Sequence, residues 1–227
     1  MSIFAIGTTG LVGGHFLTKA IENSKVTQIF SLSRRDPDVN NEKLVKIIAP
    51  PEEWPGKIKD AAVPNGSTFF SAFGTTKKTA GSAENFVKID HGINYDSFKA
   101  AKESGKFTTA IIVSSVGSNK DSMFLYMKTK GQLEQDMIDL KFDRTVILRP
   151  GVLLGERKVS KGWNNSIAEK LGSLTRGTFI GNALGHPVYG EEVAQCALEL
   201  SLKPVEKVGE VVIVDSADII KIAAGEL

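Results

Sequence analysis

Tyr126 and Lys130 lie four residues apart in the stretch MFLYMKTKGQLEQDMIDL, which reads as a helix, so the phenol and the ammonium share one helix face. A phenol of ordinary pKa, about 10, is a sluggish acid at neutral pH. An ammonium one turn away favours the phenolate and lowers that pKa. Ahead of this helix the apolar run Phe107 to Val113 (FTTAIIV) ends in Ser114 and Ser115. A serine, a tyrosine and a lysine together can hold and protonate a carbonyl oxygen while hydride reaches its carbon. Ser115 is the first candidate for the serine and Ser114 the second, and the sequence leaves the choice open. Tyr-x-x-x-Lys alone is a weak signal in a lysine-rich chain. Its weight comes from following a Ser-Ser strand end.

Such chemistry needs a hydride donor and elements to hold it, and the N-terminus offers them. Ile3 to Ile6 is a short apolar run suited to a buried parallel strand, and Leu11 to Ile21 has apolar residues at helical spacing. Between them, in the turn Gly7, Thr8, Thr9, Gly10, Leu11, Val12, Gly13, three glycines recur as Gly-x-x-Gly-x-x-Gly. A strand that re-enters a helix through glycine leaves free N–H groups at the positive helix end, where phosphate binds. Gly7 allows the tight turn, Gly10 lets backbone approach a pyrophosphate, and Gly13 permits close helix packing. The bland reading is a plain structural turn. About twenty residues further on, where an acid would accept the ribose hydroxyls of NAD, the run Val26 to Leu32 ends in Ser33, Arg34 and Arg35. A hydroxyl and two guanidinium groups suit a 2′-phosphate, hence NADP(H), against the reading of two solvated arginines. Asp36 precedes Pro37 and is expected to cap a turn.

The remaining strands are expected at Leu44 to Ala49, Ser67 to Phe73, Phe142 to Arg149, Val188-Tyr189 and Glu210 to Val214. In a doubly wound sheet the ligand lies over the carboxyl ends of the strands, so Ala72, Phe73, Gly74 and Thr75 should pass beside the adenosine and pyrophosphate. One long helical pattern runs from Ala83 to Ser104 and carries Asp90, His91 and Asn94, with His91 expected to be solvated or capping. Pro150 and Val152 begin an apolar loop that could wall the nicotinamide ring, or simply pack. Residues 156–187 have no clean period and are expected to form an irregular substrate, partner or membrane-facing segment. A last helix is expected over Ala217 to Ala224. The 227 residues fit a single α/β domain, a Rossmann-like doubly wound parallel sheet with helices on both faces and a reduced C-terminal substrate region.

Composition narrows the function classes. A net charge of +2 with scattered basic residues makes no case for nucleic-acid binding. The one cysteine, Cys196, lies in a helical pattern, cannot form an intrachain disulfide, and joins no zinc-spaced cluster, so no metal is expected. No apolar run is long enough for a membrane span, and the N-terminus lacks the look of a signal or transit peptide.

The set GTTGLVG, SLSRR, FGTTK, DHGIN, VSSVGS, YMKTK and ILRPGVLLGER, in this order, resembles the atypical short-chain dehydrogenase/reductase group of the HIV Tat-interactive protein type. It is most similar to a fungal branch associated with the mitochondrial outer membrane. The resemblance implies NADP(H) in the cleft and a Ser115, Tyr126, Lys130 set, with Asn94 in the stretch where relatives place an asparagine. A cytoplasmic location is expected or, from the resemblance alone, a peripheral one on the mitochondrial outer membrane, and the superfamily resemblance suggests a homodimer through the helices bearing Asp90 and Tyr126. Two functions follow as expectations. One is NADPH-dependent reduction of a carbonyl on a small or lipophilic substrate. The other is an NADPH-binding regulatory protein, with little turnover, acting through a protein partner.

Overall fold

The computed structural model describes residues 1–155 and 186–227. The segment expected to be irregular, 156–187, lies outside the described residues except for its last two. Seven parallel strands form one sheet in the order β3-β2-β1-β4-β5-β6-β9. These are β1 (Ser2–Ile6), β2 (Gln28–Ser33), β3 (Leu44–Ile48), β4 (Ser67–Ser71), β5 (Phe107–Val113), β6 (Arg144–Arg149) and β9 (Glu210–Asp215). Two residues each, β7 (Leu153–Leu154) and β8 (Val188–Tyr189) pair separately. The chain builds outward from β1 through β2 and β3, then returns to the other side of β1 at β4. That reversal opens a crevice between the carboxyl ends of β1 and β4, where ligands bind in such sheets.

Side-chain alternation along β1 sorts the core into two layers. Ile3 and Ala5 face the layer under α1 (Leu11–Glu22), α7 (Gly190–Leu202) and α8 (Ser216–Ala224). Phe4 and Ile6 face the layer under α2 (Trp54–Asp60), α5 (Asn94–Ser104) and α6 (Leu125–Asp139). The aromatic residues register across strands: Phe4 stacks on Phe30 of β2 at 6.1 Å and on Phe69 of β4 at 5.6 Å. Because both faces are covered, the strands read as continuous apolar runs rather than alternating ones. Cys196 is fully buried in α7, and burial pushes its thiol up to about 12.

Between β4 and β5 the helix expected over 83–104 forms, with a π-helical turn interrupting its α-helical winding. Two short helices, α3 (Lys77–Ala80) and α4 (Ala83–Val87), are followed by a π-helical turn, Lys88–Ile93, before α5 begins. Thr76 and Ser82 cap α3 and α4 by accepting the N–H groups of Thr79 and Asn85, which satisfies one free N–H at the start of each helix. In the widened turn the Asn94 side chain donates to the Asp90 carbonyl at 2.9 Å and to the Phe73 carbonyl at 3.1 Å, while Ser71 Oγ donates to Asn94 Oδ1. The π turn is thus tied to the end of β4, and π turns of this kind often mark functional sites.

Candidate functional site

A cleft of about 670 Å³ runs over the switch point from the glycine turn to α6, a size that suits a cofactor or small-molecule site. At its first end the walls are backbone. Gly7 has φ +82°, and a Cβ there would sit 2.5 Å from the Ala72 carbonyl carbon. A Cβ on Gly13 would sit 2.1 Å from the Gly7 oxygen, so α1 crosses β1 at a distance that only glycine allows. Gly10 is different. Its N–H donates to Gly7 O at 3.0 Å, and a Cβ there would meet that oxygen alone, at 3.2 Å, leaving its other side open. The first turn of α1 holds no acidic residue, and no side chain caps it, so its N–H groups are available to a phosphate. Below, Thr8 and Ser31 hydroxyls join at 2.7 Å and pin the turn to β2.

At the end of β2, Ser33, Arg34 and Arg35 all line the cleft. Arg34 lies 5.7 Å from the centroid of the Phe73 ring, which packs edge-on to Trp54 at 4.9 Å. The Phe73 ring holds the guanidinium over the cleft by cation–π attraction. Ser33 differs from its expected role as a donor: its hydroxyl donates to the Arg35 carbonyl at 2.5 Å and shapes the turn instead. Asp36 accepts the Asp38 N–H and Lys46 Nζ, both at 2.8 Å. The Lys46 hydrogen bond, then the Asp38 N–H, hold its carboxyl below the usual range.

At the other end α6 presents Tyr126, Lys130 and Glu134 along one face, each one turn from the next. Tyr126 lines the cleft, is 41% exposed, and has its ring 5.9 Å from that of Phe86. Lys130 is buried, and its Nζ pairs with Asp90 Oδ1 at 2.9 Å. Asp90 Oδ2 accepts the Thr75 N–H at 2.7 Å. Glu134 is buried too, paired with Arg149 at 2.6 Å and accepting the hydroxyl of Ser114. This pairing raises the Arg149 pKa above its usual value.

The two serines separate. Ser114 lines the cleft and Ser115 does not. Among the described residues Ser115 Oγ meets only the Val116 carbonyl, at 3.4 Å, while its own carbonyl accepts Ser118 Oγ at 2.7 Å. With its proton given to Glu134, Ser114 offers lone pairs to whatever lies in the cleft.

The expected cofactor residues Gly7, Thr8, Thr9, Gly10, Leu11, Val12, Ala72, Phe73, Gly74 and Thr75 line the cleft; Gly13, Asn94, Pro150 and Val152 do not. Asn94 is fully buried behind Phe73, and Val152 points to solvent. His91, expected to be solvated or capping, has its Nε2 2.6 Å from Asp136 Oδ2, because the π turn lies against α6. Sequence reasoning missed three contributors: Asp90, Glu134 and Trp54. Glu134 sits four residues past Lys130 and could have been found by helix-face spacing. Asp90 and Trp54 reach the site only through the tertiary fold.

A family model described as HIM1 matches residues 39–182. A protein named "Protein FMP52, mitochondrial" from Candida albicans (strain SC5314) is 46% identical over 228 residues, covering 98% of each chain. A protein of the same name from Eremothecium gossypii is 41% identical over 230 residues, covering 100% of this chain and 99% of that one. Among solved structures, MoeE5 in complex with UDP-glucose and NAD is similar with a TM-score of 0.66 at 13% identity, covering 99% of this chain and 81% of that one. A short-chain dehydrogenase family protein from Francisella tularensis also gives 0.66 at 13% identity, with 95% and 97% covered. At such identities these likenesses establish the Rossmann-like fold. Among the described residues no helix is long and apolar enough to cross a membrane.

Proposed function

The chain belongs to the HIM1 family, and from that membership and the cleft we propose that it is an NADP(H)-dependent oxidoreductase of the short-chain dehydrogenase/reductase type. The observation that carries this reading is that the glycine turn, Tyr126 and Lys130 wall one continuous cleft. The resemblance to the Tat-interactive group supports the same class. The residues present fit the dinucleotide: a glycine cradle that any Cβ would fill, an uncapped helix N-terminus, and arginines where a 2′-phosphate would lie. When bound, the nicotinamide would supply hydride to a carbonyl carbon.

Gly10 and the start of α1 would hold the pyrophosphate, and Arg34 and Arg35 the 2′-phosphate. Lys130 would donate to the nicotinamide ribose. Tyr126 would give its phenolic proton to the carbonyl oxygen as hydride arrives, and its exposure lets solvent return that proton. Ser114, rather than Ser115, would orient the reacting oxygens, accepting a hydrogen bond from the Tyr126 phenol or from the alcohol formed. Met123 and Phe124, 98% and 77% exposed just before α6, give this side an apolar character that suits a lipophilic carbonyl compound.

Titration with NADPH and with NADH, followed by NADPH oxidation over a panel of carbonyl compounds, tests the reading. NADPH should bind at least about tenfold tighter than NADH, and Tyr126→Phe should keep binding while losing turnover. Full activity in that variant would remove Tyr126 from its role.

One observation favours a second reading. The lysine is neutralised by Asp90 and the serine hydroxyl is committed to Glu134, as suits a protein that binds NADPH and signals to a partner with little turnover. Selective NADPH binding with no oxidation over the panel, and partner affinity that changes with NADPH, would establish it. The relatives named mitochondrial support a place at that organelle, and the resemblance to the fungal branch extends this to a peripheral place on its outer membrane. Fractionation with a salt wash tests it.

A further inference from the structure

Asp90 is nearly inaccessible at 1% exposure, yet two hydrogen-bond donors from different parts of the chain converge on its carboxylate. Oδ1 takes Lys130 Nζ from α6, and Oδ2 takes the Thr75 N–H from the loop after β4. The pair lies under Gly74, where an added Cβ would sit 3.0 Å from Asp90 Oδ1 and 3.7 Å from Lys130 Nζ. A long lysine side chain has many rotamers, and a buried ammonium needs a counter-charge. Glu134, the next carboxylate along α6, is committed to Arg149 and Ser114. On the π turn, the neighbouring His91 is engaged with Asp136.

We propose that Asp90 is the positioning residue of the site, fixing Lys130 and the Gly74-Thr75 loop together in the arrangement that receives the dinucleotide. The assignment rests on the reading of Lys130 as the residue that holds the nicotinamide ribose. Only an ionised carboxylate can serve both neighbours, because each of them is a donor. An amide at this position accepts one donor through its oxygen and turns its own NH₂ against the other. One group therefore sets the lysine and the loop, and the π turn that presents it is in turn anchored through Asn94 to the Phe73 carbonyl.

The test is a double-mutant cycle read as NADPH affinity in the purified chain, with thermal unfolding recorded alongside. Asp90→Asn and Lys130→Met should each weaken NADPH binding by about tenfold or more, and the double variant should lose clearly less than the product of the two single losses. Such non-additivity means that Asp90 acts through Lys130. A structural role alone would lower the melting temperature and leave the affinity of the folded protein unchanged. Losses that multiply in the double variant, or wild-type affinity in Asp90→Asn, overturn the assignment while leaving the cofactor reading in place. Wild-type protein that binds no NADPH overturns both. Should Asp90→Asn fail to fold, Asp90→Glu carries the test: the charge stays but its oxygens move by a methylene, and NADPH binding should weaken severalfold. Unchanged binding in Asp90→Glu overturns the proposal.

Discussion

The two ends of the cleft are made of different material. Beneath α1 the shape is backbone against backbone, with Gly7 against Ala72 and Gly13 against Gly7. Beside α6 it is side chain against side chain, in a buried ion pair, Asp90 with Lys130, and a part-buried one, Glu134 with Arg149. The first end is specified by what is missing from three residues close in sequence. The second is specified by charges that must find partners on other elements. Backbone geometry tolerates no added atom but keeps its form whatever surrounds it, whereas a buried pair fails as soon as one partner goes.

The sharpest way to break the contrast is to remove one charge. Lys130→Met strands Asp90 in the interior, and unfolding by urea should show a loss of about 3–5 kcal/mol. A fully stable Lys130→Met would mean that the α6 end does not depend on its pairs. At the glycine end, Gly13→Ala drives a methyl group into the Gly7 carbonyl and should cost about 1–3 kcal/mol by the same measurement. Gly10→Ala separates packing from binding. Its methyl group has only Gly7 O as a close neighbour, so stability should fall by about 1 kcal/mol or less. If the turn holds a phosphate, NADPH affinity should nevertheless drop by about tenfold or more.

That difference of material also explains what could be read without coordinates. The strands are legible because a sheet covered on both faces needs apolar runs, and β5 falls where FTTAIIV predicts it. The glycine turn is legible because its steric demand is local. Tyr126 and Lys130 are legible because helical spacing alone puts them on one face. Asp90 is not, since nothing near it announces a lysine on another helix. Nor is the π turn, because the apolar spacing of 83–104 does not show where the helix widens within it. Ser114 and Ser115 are adjacent and chemically identical, so only the direction in which the strand delivers them could separate the pair.

The layer behind the glycine turn offers a further comparison. Cys196 lies in α7, whose Gly190 packs on Leu11 of α1 so closely that a Cβ would sit 2.6 Å from Leu11 Cγ. Burial raises the thiol to about 12, so folded protein should resist iodoacetamide at neutral pH and react on unfolding in urea. Labelling as fast as that of a small thiol would show that α1 and α7 separate readily.

The smallest effect belongs to a surface contact across this same layer. Lys19 in the last turn of α1 meets Glu191 in the first turn of α7 at 2.9 Å. The hydrogen bond from Lys19, then its charge, hold the Glu191 carboxyl below the ordinary value. A carboxyl whose folded pKa is depressed contributes stability above its unfolded pKa, and that contribution is lost as pH falls through the folded value. Glu191 is 62% exposed, so screening keeps the contribution to about 0.5 kcal/mol or less. Wild-type protein should therefore melt slightly above Glu191→Gln at neutral pH, and the gap should close as pH falls toward about 3. Glu191→Gln also removes a negative charge from a helix N-terminus. Lys19→Met deletes the pair while sparing that charge, so the cycle between the two variants isolates the ion pair. A gap that persists at low pH would assign the stabilisation to packing of α1 on α7 and not to the charges that cross it.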